Sequence, residues 1–158
     1  MTLARDDVDT FLAASKTLSG QMRWISRPTA DYATLAVEMN AVEAGQLIAV
    51  QLTAAPRFWK FRLDHGGTEV LCWHFRPEGD IRSHRNPSPR PDGFPKRDTS
   101  LIHEHPWIDG HETRCSRPLD GLETASHEQA FRAFCARANI DPGATYRQPP
   151  EPQLSLIR

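Results

Sequence analysis

The sequence predicts an α+β fold, with an antiparallel sheet of about five to six strands, an N-terminal helix and a C-terminal helix. Three observations carry that expectation. Residues 32 to 76 form successive runs in which apolar and polar side chains alternate, the period of a half-buried strand. Between two of those runs, Asp64-His65-Gly66-Gly67 reads as a hairpin turn, because glycine reaches positive φ freely. Near each end, apolar residues recur at helical spacing instead.

The first helix is expected over roughly residues 6 to 19. Asp6 or Asp7 caps it, Val8, Phe11, Leu12 and Leu18 give it an apolar side, and Gly20 stops it. Residues 22–26 form a short strand before Pro28. Residues 32–41 place Leu35, Val37 and Met39 on one face, and Glu43 to Gly45 reads as a turn. Residues 45–53 and 57–63 alternate in the same way. Residues 68–76 return with Leu71, Trp73 and Phe75 inward and Cys72 and His74 on the opposite face. Pro77, Pro87, Pro89, Pro91 and Pro95 mark 77–99 as a long loop, since proline has no amide donor for pairing. Loops of this length in compact domains are usually functional or disordered. Residues 100–105 form one more strand, ended by Pro106. Ser126 and Gln129 have the spacing of a capping box, which opens the second helix with Ala130, Phe131, Phe134, Cys135 and Ala138 on its apolar face. The tail 142–158 is proline-rich, and Leu154, Leu156 and Ile157 are candidates for an added edge strand.

With 158 residues, one domain spanning 1–158 is expected. The 19 basic and 20 acidic residues nearly cancel, which argues against a protein that binds nucleic acid over its whole surface. The loop at 77–99 is locally basic. No apolar run is long enough to span a bilayer, and the N-terminus lacks the basic start and apolar core of a leader. Cys72, Cys115 and Cys135 are widely spaced and form no CxxC pair, as expected of reduced thiols in a cytoplasmic protein.

The chemistry concentrates between Arg82 and Glu112, which holds four of the seven histidines: His84, His103, His105 and His111. Side chains at i and i+2 of a strand share a face, so His103 and His105 are expected to point the same way. Two chemistries want such a pair. In the first, His103, His105 and His111 (or His84) bind zinc, and Glu112 or Asp109 adds a carboxylate. The second needs no cofactor: His103, His105 and His84 act as acid and base on an RNA phosphodiester. There Arg82, Arg85, Asn86 and Arg97 bind the substrate and Trp107 stacks a base. Against both stands a basic loop that is only solvated surface, with strand histidines that only bond backbone carbonyls. His65, His74 and His127 are expected to be structural, and a binding module acting through the basic loop is the non-enzymatic alternative.

The order of motifs also bears a resemblance. Arg62-Leu63-Asp64 is followed by His84-Arg85-Asn86-Pro87, then by His103 and His105, then by a helix carrying Cys135, Asn139 and Ile140. This resembles the TumE-type toxins of bacterial toxin–antitoxin modules and their uncharacterised relatives, over roughly residues 57 to 141. The resemblance implies a cytoplasmic toxin or defence-linked protein with a cognate antitoxin as partner. Together with the His/Arg site it leads to the expectation of a toxin-like, RNA-cleaving protein.

Overall fold

The computed structural model describes residues 3–54, 57–77 and 83–151. Its first element is α1 (Arg5–Ala13), which carries Asp6 and Asp7 in the first turn and buries Val8 and Phe11. It ends six residues earlier than expected. The Lys16 side chain folds back and its ammonium donates to the carbonyls of Phe11, Leu12 and Ala14, satisfying acceptors that a helix end leaves open. Burial pushes the Lys16 pKa down to about 8. The residues that follow are therefore free to form β1 (Lys16–Ser19).

After β2 (Ile25–Ser26), the long hairpin of β3 (Ala30–Met39) and β4 (Val42–Leu52) turns at Asn40 and Ala41, both left-handed at φ 51° and 61°. The turn therefore lies before Glu43 to Gly45, not in it. Gly45 is needed within the strand instead, since a Cβ there would lie 2.3 Å from the Asp64 carbonyl oxygen of the neighbouring strand. That neighbour is β5 (Trp59–His65), which returns through left-handed Gly66 and Gly67 into β6 (Thr68–Phe75). β9 (Ile102–Pro106) then pairs with β6, and β10 (Arg117–Pro118) with β9.

With β11 (Ile140–Asp141), the described residues place nine strands in the main sheet, in the order β10-β9-β6-β5-β4-β3-β1-β11, with β2 also on β3. All pairings are antiparallel except that of β1 with β11. The count exceeds the expected five to six because β10 and β11 are two-residue strands, too short to show a period, and because β1 falls in a stretch expected to be helical. The proline-rich excursion also contains a small hairpin, in which β7 (His84–Arg85) pairs with β8 (Arg97–Asp98) and Pro87 to Pro95 fill the connection. The expected strand at Leu154 to Ile157 and the candidate Arg82 lie outside the described residues.

One face of the sheet is covered by α2 (His127–Arg137). Ser126 caps it as expected: its Oγ accepts from Gln129 N at 3.1 Å, while Ser126 N donates to Gln129 Oε1 at 2.9 Å. Phe134 meets the rings of Phe61 and Trp73 at 5.7 and 5.3 Å, forming the centre of the core. On this face Glu104 of β9 is 3% exposed and is held by Trp73 Nε1 at 3.0 Å, Arg117 Nη2 at 2.8 Å and Arg137 Nε at 2.8 Å. Burial alone would raise its pKa. The Trp73 N–H, Arg137 and Arg117 outweigh that and hold it below the ordinary carboxylate value.

At the start of α2, His127 bonds the Tyr146 hydroxyl at 2.7 Å and is ringed by Trp24, Trp59 and Phe61. Burial lowers its pKa to about 4. The folded state therefore binds fewer protons than the unfolded chain. The resulting stability is complete above about pH 6.5 and is lost as pH falls toward 4, by a total of about 3 kcal/mol. Urea unfolding at pH 7 and pH 4.5 checks this: the acid-induced loss should be smaller in His127→Gln than in the native protein.

No helix among the described residues is long and apolar enough to cross a membrane. Cys72, Cys115 and Cys135 are free and buried.

Candidate metal centre

The face of the sheet opposite α2 carries the histidines. Along β6, Trp73 and Phe75 point into the core, so Cys72 and His74 point the other way. The antiparallel register sets His74 opposite His103 and Cys72 opposite His105, which puts three imidazoles together on adjacent strands. Ring centroids are 5.0 Å apart for His74–His103, 4.6 Å for His74–His105 and 5.0 Å for His103–His105. One nitrogen from each ring lies within 4.8 Å of the others.

The outward nitrogens fix the rings. His105 Nδ1 faces the Thr113 carbonyl at 3.1 Å, so that nitrogen carries the proton and donates. His105 Nε2 is then a bare lone pair, buried and without a hydrogen-bond partner among the described residues. His103 Nδ1 faces the Ser100 carbonyl at 3.4 Å, and His103 Nε2 lies 3.2 Å from His74 Nδ1. Carbonyls behind the far nitrogen are the usual means of holding a metal-binding imidazole in one tautomer. Asp98 lies behind this arrangement, 1% exposed, bonded to the Ser100 backbone N–H at 2.9 Å and to Ser116 Oγ at 2.9 Å.

The environment keeps the rings neutral. Burial first, then the neighbouring imidazoles, lowers the pKa of His74 to about 2 and that of His105 to about 4. His103 is also lowered, by burial, with Asp98 opposing. Neutral imidazole is the form that binds a metal.

The other expected site residues divide by position. His84 stands beside the trio, its ring 5.3 Å from that of His105, but its Nε2 is 2.7 Å from the Arg114 carbonyl. His111, expected as the third zinc ligand, is not in the cluster; its Nε2 is 2.7 Å from the Pro89 carbonyl. Asp109 and Glu112 are exposed in the turn that follows. Asn86 is buried, with Nδ2 donating to the Pro95 and Ser116 carbonyls and Oδ1 accepting from Ser116 N, so it ties the hairpin to the chain beyond β9. Arg85 and Arg97 are exposed on that hairpin. Trp107 packs against the core and borders a cleft lined by Leu12, Ala13 and Arg137, on the helix side.

His74, expected to be structural, is the third member of the cluster. A signal was present: it shares the polar face of its strand, as His103 and His105 share theirs. Missing was the knowledge that β6 and β9 are neighbours, since 26 residues separate Phe75 from Ile102. A groove of about 460 Å³ between Trp59, Ser126, His127 and Pro149 contains none of the three imidazoles. No protein-family model, curated protein or solved structure matches this chain.

Proposed function

We propose that His74, His103 and His105 bind one divalent ion of the zinc class and that the protein is a metal-dependent hydrolase. The observation that carries this reading is the set of three imidazoles with one nitrogen each inside 4.8 Å, among them a buried His105 Nε2 that no group among the described residues satisfies. A buried polar atom without a partner is costly, and a ligand supplies what the protein does not. Zinc on three histidines retains an open position for water and brings that water's pKa to about 7. Equilibrium dialysis of untagged protein against zinc tests the reading: one ion per chain is expected, and no uptake would refute it.

A second reading is the toxin-like, RNA-cleaving protein with a cognate antitoxin, acting in the cytoplasm. The exposed Arg85 and Arg97, on the hairpin that also carries His84, favour it. In its metal-free form His103, His105 and His84 exchange the protons. That form meets a difficulty: an imidazole titrating near 4 is almost wholly unprotonated at neutral pH and makes a poor general acid. RNA cleavage that persists in the presence of a chelator would put this reading first.

A further inference from the structure

We propose that Arg76 and Lys60, with Phe58 holding Arg76 in place, form an anion subsite beside this centre, and that the substrate is a phosphate ester. The inference rests on the metal reading and adds the class of substrate. His103 and His105 are 5% and 8% exposed, whereas His74 is only half-buried, so a ligand reaches the trio from the His74 side. That side is lined with cations. Lys60 is the cross-strand partner of His74 on β5. Arg76 continues the ladder, its N–H donating to the Leu101 carbonyl at 2.8 Å, two residues and roughly 7 Å beyond His74 on the same face.

Among the described residues Arg76 is held by an aromatic ring and not by a carboxylate. Its guanidinium carbon lies 5.0 Å from the centre of the Phe58 ring, and Phe58 stands edge-on to His74 at 5.3 Å. Among the described residues its Nε is buried without a hydrogen-bond partner. No described carboxylate pairs with it, although Arg62, on the same face, has Asp64 at 2.6 Å. A divalent ion on three uncharged rings would share this side with Lys60 and Arg76. The nearby Asp98 is already committed to Ser100 and Ser116. Such a surplus of positive charge calls for an anion with more than one oxygen, and the guanidinium fork matches phosphate.

The test uses the full chain loaded with zinc, titrated with inorganic phosphate, with a dinucleoside monophosphate, and with acetate. Phosphate-bearing probes should bind, acetate at least about tenfold more weakly. Arg76→Gln should weaken phosphate binding by at least about tenfold while zinc remains at one per chain. Phe58→Leu should weaken it in part, and Phe58→Tyr, which keeps the ring, should restore it. Tighter binding of the dinucleoside probe assigns the site to a diester, and tighter binding of inorganic phosphate assigns it to a monoester. Failure of zinc uptake sinks the centre itself. Zinc uptake with phosphate bound equally by Arg76→Gln and native protein, or no tighter than acetate, overturns the subsite alone.

Discussion

Replacing His74 by alanine is expected to weaken zinc binding more than a hundredfold while the chain still folds. Removing a group that merely orients a metal ligand already costs about 10–100-fold, and His74 would be a ligand itself. The remaining pair, His103 and His105, cannot hold the ion with comparable strength. The fold should survive because the His74 side chain lies on the face away from the aromatic core, and its deletion relieves crowding among three closely spaced rings. His105→Ala should match the effect. His111→Ala should leave affinity unchanged, because that ring is bonded to the Pro89 carbonyl outside the trio. Isothermal titration of the three variants checks the pattern. A loss in His111→Ala equal to that in His74→Ala would move the centre elsewhere.

Glu104→Ala should be strongly destabilising, by about 3 kcal/mol, because it strips a buried carboxylate from its partners. The Trp73 indole N–H loses its acceptor inside the core, while Arg117 and Arg137 lose their counter-charge. The two arginines are 41% and 36% exposed at the side chain and regain water, which places the loss at the lower end for buried pairs. The pH dependence differs from that of the histidines. Glu104 has a depressed pKa, so its contribution is present above about 4.5, the ordinary carboxylate value, and fades as pH falls through the lower folded value. Chemical denaturation at pH 7 gives the magnitude, and Glu104→Gln separates charge from shape. Unchanged stability in Glu104→Ala would show that the network does not hold β9 in place.

The middle of the fold was legible because its signals are local. Leu71, Trp73 and Phe75 alternate with Cys72 and His74, the two glycines after His65 make a turn, and Ser126 with Gln129 caps a helix. What escaped notice depends on partners far along the chain. Lys16 to Ser19 looks helical beside Phe11 and Leu12, yet it becomes a strand through pairing with Glu38 and, across the whole chain, with Ile140 and Asp141. Gly45 resembles a turn residue until Asp64 is seen against it. The site follows the same rule. The His103–His105 pair could be read from the alternation of one strand, whereas His74 joins it only through the β6–β9 register. His111 was favoured by nearness in sequence, and the turn at Asp109 and Gly110 carries it to Pro89 instead.

X-ray absorption at the zinc edge, on untagged full-length protein carrying one ion per chain, tests the central claim most directly. Three imidazole nitrogens at about 2.0–2.1 Å and one oxygen ligand are expected around the ion. A sulfur scatterer at about 2.3 Å, drawing on Cys72 or Cys115, or a shell of oxygens without imidazole, would contradict it.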